Sequence, residues 1–154
     1  MVVGAGGIGS HLLGPLCRYL DNSQENPHIL VLDGDQYETK NADRQNFARM
    51  GNKAEVSVEE AKQRFPRLMI EARPVFVTDD NICAYIGKGD VVFSCVDNHA
   101  TRLLLSDHCA TLSDVMLISG GNDYSNGSVH VFIREKGGDK TPALTYLHPE
   151  IASP

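Results

Sequence analysis

Positive charge is scarce in this chain: 14 Lys and Arg stand against 20 Asp and Glu, a net charge of −6. That balance argues against nucleic acid as a main partner. No apolar run approaches the roughly 20 residues that span a bilayer, and no charged, apolar and cleavage regions follow one another as in a signal peptide. No membrane association is expected. The four cysteines, Cys17, Cys83, Cys95 and Cys109, form no Cys-x-x-Cys pair. They read as reduced thiols of a cytosolic protein, with Cys95 and Cys109 at core positions. His11, His99, His108 and His130 lack metal-ligand spacing. Neither a Gly-x-Ser-x-Gly elbow nor a Walker lysine motif occurs.

What the chain does contain is a glycine-rich turn near its start, Gly4-Ala5-Gly6-Gly7-Ile8-Gly9. Gly4, Gly6 and Gly9 allow a sharp turn, close approach to a phosphate and packing against a sheet. A helix predicted from Gly9 to Leu20 would aim unpaired N–H groups at an anion. Gly14-Pro15 predicts a kink or a late start in that helix. His28 to Asp33 is a continuous apolar run ending in a carboxylate, the pattern of a parallel strand buried on both faces. Further strands are predicted over Leu68–Val77, Asp90–Val96 and Val115–Ser119. Helices are predicted over Asn52–Phe65, over Asp79–Ile86 with Asp79 or Asp80 as cap, and over Asn98–Leu112. Ser128–Arg134 alternates, with Val129, Val131 and Ile133 on one face. It follows the turn Tyr124-Ser125-Asn126-Gly127 and suits an antiparallel edge strand. Glu135–Thr141 has the composition of a linker.

Strands alternating with helices predict an α/β fold: a Rossmann-like, doubly wound, mostly parallel sheet with helices on both faces. At 154 residues the chain reads as one domain able to bury a core without disulfides. Only three residues precede Gly4, and the last fourteen carry three prolines without a closing element. We therefore expect a fragment lacking its flanks.

In such a sheet ligands sit beyond the carboxyl ends of the strands. Asp33 stands there, 24 residues after Gly9, where it could accept hydrogen bonds from ribose hydroxyls or cap a turn. Asp35 could orient Asp33 or cap the next turn. The loop from Gly34 to Gly51 is too long for a mere connector. Within it and just beyond, Lys40, Arg44, Arg49 and Lys53 oppose one acid, Asp43, a local net charge of +3. Several cations suit a triphosphate better than a nicotinamide dinucleotide, because charge on a leaving pyrophosphate must be stabilised. Asp97, after the fourth strand and followed by Asn98, is a natural Mg²⁺ ligand facing polyphosphate, or the N-cap of the next helix.

These motifs occur in a telling order: Gly4 to Ser10, Leu32-Asp33-Gly34-Asp35, Asn41-Ala42-Asp43-Arg44-Gln45, Gly51-Asn52-Lys53 and Cys95-Val96-Asp97-Asn98. From about Val2 to Ile133 the chain resembles the ThiF/MoeB superfamily, the adenylating fold shared with ubiquitin-activating enzymes. Arg102 and Ser119-Gly120-Gly121 also fit. The resemblance implies ATP bound by Gly4, Gly6, Gly7 and Gly9, with Asp33 on the ribose and Asp35, Asn41, Arg44, Gln45, Lys53 and Asn98 completing the nucleotide site. It further implies that Arg44 and Lys53 meet the phosphates and that Asp97 holds Mg²⁺, these three carrying the catalysis. It implies adenylation of a carboxylate, typically the C-terminus of a ubiquitin-like or sulfur-carrier protein, by a homodimer.

The chain departs from the superfamily in places. Ala42-Asp43 interrupts the usual Asn-Leu-x-Arg-Gln, and the stretch between Arg44 and Lys53 is short. Zinc-binding Cys-x-x-Cys pairs are absent, so a structural zinc would need residues beyond this chain. None of the four cysteines takes the catalytic-cysteine role. Two other readings remain open: a non-catalytic ThiF-like subunit that binds a partner, and an NAD- or FAD-dependent oxidoreductase using the same glycine loop.

Overall fold

A computed structural model of the chain describes residues 1–122 and 125–153. They form two compact units, Met1–Phe76 and the part from Val77 onward. The first unit contains β1 (Val2–Val3), α1 (Gly9–Asp21), β2 (His28–Leu32), β3 (Gln36–Tyr37), β4 (Gly51–Asn52), α2 (Lys53–Arg64) and β5 (Met69–Arg73). β2 lies between β1 and β5, parallel to both, with Val2 opposite Val31 and Ile29 opposite Ile70. Val31 and Ile70 are sealed from solvent, as the apolar run predicts. Each such side chain contributes roughly 1.5–3 kcal/mol by leaving water.

Helix α1 starts at Gly9 with no delay, and Pro15 sits inside it. Pro15 is on the exposed side, where the bond its missing N–H cannot make is open to water. The apolar face of α1 buries Leu13 and Cys17, with Leu12, Leu16 and Leu20 half-buried beside them. The strand expected to reach Val77 stops at Arg73. Pro74 cannot continue the ladder, and Val75 N–H turns back to Arg73 O at 2.9 Å. The long polar loop is pinched at its base, where β3 and β4 pair antiparallel.

The second unit contains α3 (Ile82–Tyr85), β6 (Val91–Ser94), α4 (His99–Thr111), β7 (Val115–Asn122), β8 (Gly127–Glu135), β9 (Gly138–Asp139) and α5 (Leu144–Leu147). β6 and β7 are parallel, and β8 runs antiparallel to β7 along its whole length. The architecture is thus the α/β, Rossmann-like, mostly parallel one expected, with the antiparallel strand near the C-terminus. No described helix is long and apolar enough to cross a membrane.

Four local expectations change in this unit. The helix expected over Asp79–Ile86 is a single turn, and Asn81 rather than Asp79 or Asp80 stands at its start. Asn81 Oδ1 accepts from Thr78 N at 2.9 Å, closing a turn where the first helical residues were expected. β6 ends at Ser94, three residues before Asp97. Glu135–Thr141 is no linker: Lys136 and Gly137 both have positive φ (50° and 77°), which turns β8 directly into β9. Val129, Val131 and Ile133 do share a face, but His130 and Phe132 fill the core beneath while Val129 is 74% exposed. Alternation alone identified the face without saying which side the chain would cover. The expected turn before β8 includes Tyr124, which lies outside the described residues.

Candidate functional site

The first half of the site is built on the glycine turn. Gly4 has φ 93°, a conformation open to glycine and strained for other residues. Its N–H donates to Leu32 O at 2.9 Å, tying the turn to the end of β2. Ala5 N–H then donates to Asp33 Oδ2 at 2.7 Å. Asp33 Oδ1 accepts from Asp35 N at 2.9 Å. Asp33 therefore braces the glycine turn and its own turn at once. One bond goes to each carboxylate oxygen, which leaves further lone pairs on both.

Helix α1 has no side-chain cap. Its backbone ladder begins with Ser10 N–H donating to Gly6 O at 3.0 Å, and the amides of Gly7, Ile8 and Gly9 have no acceptor among the described residues. Open amides at the start of a thirteen-residue helix form an anion site by dipole and by hydrogen bonding.

The basic segment returns over this turn. A Cβ on Gly7 would stand 3.9 Å from Arg44 O, and one on Gly6 would stand 3.7 Å from Gln45 Nε2. Asn46 N–H donates to Ser10 Oγ at 3.1 Å, anchoring the segment to the first turn of α1. Asn41 is buried and organises the approach. Its Oδ1 accepts from Glu38 N at 3.2 Å, and its backbone O accepts from Arg44 and Gln45 N–H groups at 3.2 and 2.9 Å. Gln45 Oε1 is buried without a partner in the structure.

The local charge of +3 is largely compensated by neighbours. Lys40 pairs with Glu38 at 2.6 Å, and Arg49 pairs with Glu59 of α2. Lys53 Nζ lies 2.8 Å from Asp35 Oδ2 with the lysine side chain only 10% exposed. The Lys53 hydrogen bond, followed by one from Gln36 N–H, holds the Asp35 carboxyl below its ordinary range. Arg44 alone of these cations has no ion pair or side-chain hydrogen bond among the described residues, and it is exposed.

α2 is fixed beneath the segment by Asn52. Its Oδ1 accepts from Glu55 N at 3.0 Å as the N-cap, while its Nδ2 donates to Asp33 O and Asp35 O at 2.9 and 3.1 Å. Sequence reasoning placed Asn52 at the helix start without seeing that it also holds the two acidic residues. It missed Tyr37 altogether. That side chain is 2% exposed, its ring stacks on Phe47 at 4.5 Å between centroids, and its hydroxyl meets Ala5 O and Ser57 Oγ. A lone tyrosine inside a polar loop was the available signal.

The second unit carries the remaining candidates. Asn98, not Asp97, caps α4, its Oδ1 accepting from Thr101 N at 2.8 Å. Asp97 is exposed and makes no side-chain bond among the described residues. Arg102 donates to Val96 O at 2.9 Å and to Gly120 O at 3.0 Å, holding the end of β7 to the segment after β6. A Cβ on Gly121 would meet its guanidinium at 2.8 Å, so a side chain there would displace it. No cluster of three or more His, Cys, Asp or Glu side chains among the described residues is arranged to hold a metal.

The thiols are poor nucleophiles where they are buried. Burial pushes Cys17 and Cys95 up to about 11 and Cys109 up to about 12, while Cys83 is exposed.

Known proteins are similar to this chain in sequence and in fold. The chain is 29% identical to the adenylyltransferase and sulfurtransferase UBA4 of Candida albicans, covering 100% of this chain and 34% of the relative. It is 35% identical to MOCS3, an adenylyltransferase and sulfurtransferase of Anopheles gambiae, over 86% of this chain and 30% of that one. It is 30% identical to the sulfur carrier protein adenylyltransferase of Thermus thermophilus, over 100% of this chain and 56% of that one. The chain thus spans about a third of the length of the first two. Among solved structures, E. coli MccB with MccA-N7isoASN superposes with TM-score 0.73 at 21% identity, over 90% of this chain and 41% of that one. The ThiF family itself matches residues 1–152, and the chain belongs to the ThiF family.

Proposed function

We propose that this protein activates a carboxylate by adenylation. The carboxylate is the C-terminus of a ubiquitin-like or sulfur-carrier protein. One carboxylate oxygen attacks the α-phosphorus of ATP, the bond to the bridging oxygen breaks, pyrophosphate leaves and an acyl adenylate remains. ThiF membership and the names of the relatives support this reading. The observation that carries it is the run of open amides at Gly7, Ile8 and Gly9 beside an unpaired Arg44.

In this reading Gly4, Gly6, Gly7 and Gly9 present the phosphate turn. The free lone pairs of Asp33 take the ribose hydroxyls. Arg44 needs no prior partner to be displaced before meeting phosphate. Lys53 does have one, so it reaches polyphosphate by sharing or leaving Asp35, and this exchange couples Asp35 to nucleotide binding. Asn41, Gln45 and Asn98 line the nucleotide. Positioning and charge neutralisation, rather than an acid–base residue, lower the barrier.

Asp97 fits Mg²⁺. It is an exposed carboxylate with both oxygens free, the single protein ligand this ion takes when phosphates and water complete its octahedron. The ion would neutralise charge on the leaving pyrophosphate. We further propose that the whole chain serves as one adenylation domain, in a homodimer, in the cytoplasm. Superfamily resemblance and the unpaired, reduced thiols support these assignments.

The test is carboxylate-dependent exchange of labelled pyrophosphate into ATP by the intact protein. Exchange is expected, and Asp97→Ala should abolish it. A folded wild-type protein that binds a carrier protein without exchange would instead be a non-catalytic member. Exchange surviving in Asp97→Ala would overturn the metal assignment.

A further inference from the structure

Tyr37 has no part in the roles given above, yet it is bonded directly to the glycine turn. Its hydroxyl has two neighbours, Ala5 O and Ser57 Oγ at 3.0 Å. A backbone carbonyl only accepts, so Tyr37 donates to Ala5 O and Ser57 donates to Tyr37. Burial pushes the phenol up to about 12, so the proton stays in place. The result is a directed chain from Ser57 of α2, through Tyr37, to the carbonyl of Ala5.

That carbonyl lies in the turn, three residues before Ile8, the N-cap of α1, and the helix ladder starts just after it with Ser10 N–H on Gly6 O. We propose that Tyr37 is a positioning residue: by holding Ala5 O, its hydroxyl fixes the turn that presents the open amides of Gly7, Ile8 and Gly9 to a phosphate group. Ala5 is thereby gripped on both sides, its N–H by Asp33 and its C=O by Tyr37. The Tyr37 ring extends the same control to the basic segment. Phe47 stacks on it with a 12° interplanar angle, three residues after Arg44. One buried side chain therefore sets both the phosphate turn and the segment that returns over it.

The proposal rests on the nucleotide reading of the site, and two measurements separate the two. The first is amide hydrogen exchange in the nucleotide-free wild-type protein. Gly9 should exchange rapidly, in the manner of Gly7 and Ile8, while Leu13 on the same helix is protected. A Gly9 amide protected like Leu13 would overturn the role given to Tyr37, whatever the protein binds. The second compares wild type with Tyr37→Phe, which keeps the ring and the stack but removes the donor. The dissociation constant of a non-hydrolysable ATP analogue, by calorimetry, should rise about tenfold. KM for ATP should rise likewise, with kcat for exchange and KM for the carrier protein within twofold of wild type. A merely structural residue would lower kcat with the folded fraction and leave KM for ATP alone. Unchanged analogue binding in folded Tyr37→Phe would sink the proposal and leave adenylation standing. If wild type binds no ATP analogue, the adenylation reading falls, and with it the phosphate for which Tyr37 would hold the turn. Should Tyr37→Phe not fold, Ser57→Ala, which removes the donor to the Tyr37 hydroxyl, takes its place: a smaller rise in the analogue's dissociation constant is expected, and unchanged binding would sink the proposal.

Discussion

Two asparagines do the same local job in the two halves of the chain, with different stakes. Asn52 caps α2 and Asn98 caps α4, each accepting a backbone N–H three residues on. Asn52 is 7% exposed and also donates to the carbonyls of Asp33 and Asp35. Asn98 is exposed and makes only the cap. The contrast extends to the charges around them. In residues 1–76 nearly every candidate group is bonded: Asp33 to two amides, Asp35 to Lys53, Arg49 to Glu59, with Arg44 the exception among the described residues. After Val77, Asp97 has no side-chain bond among the described residues, and Arg102 is spent on backbone carbonyls. On the adenylation reading, Lys53 of the first unit must share or leave Asp35 when nucleotide arrives, whereas Arg44 and Asp97 have no such partner among the described residues.

The sharpest way to break this comparison is to remove the free cation of the first unit. Arg44→Ala should lower pyrophosphate exchange by about 100-fold with the melting temperature unchanged, since only the ligand uses that side chain. A loss matched by destabilisation would place Arg44 in the scaffold instead. Next comes the buried cap: Asn52→Ala should destabilise by about 2–3 kcal/mol in denaturant titration, combining a lost cap with the Asp33 carbonyl left unmet, while Asp35 O keeps the Lys53 N–H. Asn98→Ala should cost only about 1 kcal/mol. Equal costs would remove the distinction between the two helix starts.

A smaller effect separates the bonded carboxylate by pH. The folded-state pKa of Asp35 lies below its unfolded value of 3.8. Its stabilising contribution is therefore complete above that value and is lost as pH falls through the lower folded value. Melting temperatures of wild type and Asp35→Asn should differ near neutrality and converge as pH falls through the lowered folded-state value. The difference will be modest, because the Asp35 side chain is 57% exposed and screened by solvent. Smallest in energy, but sharpest as a label, is thiol reactivity. In the native protein near pH 8, iodoacetamide should modify Cys83 quickly and spare Cys17, Cys95 and Cys109 until unfolding.

The glycine turn, the starts of α2 and α4 and the order of strands and helices were legible because each is a local pattern, although Asn98 rather than Asp97 proved to cap α4. Apolar runs mark buried strands, and Asn before a helical segment marks its start. Element ends were less legible. β5 stops at Arg73 because Pro74 follows, yet β6 stops before Asp97 and α3 shrinks to one turn with no such marker in the sequence. The basic segment was legible as a charge excess. Its partners were not, since Glu59 lies ten residues past Arg49 and Asp35 lies eighteen before Lys53.

By itself the sequence determined the α/β class, the phosphate turn and the set of candidate residues, because backbone conformation, burial period and helix capping depend on neighbours along the chain. Tertiary structure alone decided which of those groups are free. Whether Asp33 braces Ala5, whether Lys53 is held by Asp35, and whether Tyr37 holds the carbonyl of Ala5 all depend on side chains brought within 3 Å across 18 to 32 residues. Hydrogen bonds and ion pairs act only at that range, and no pattern along the chain encodes it.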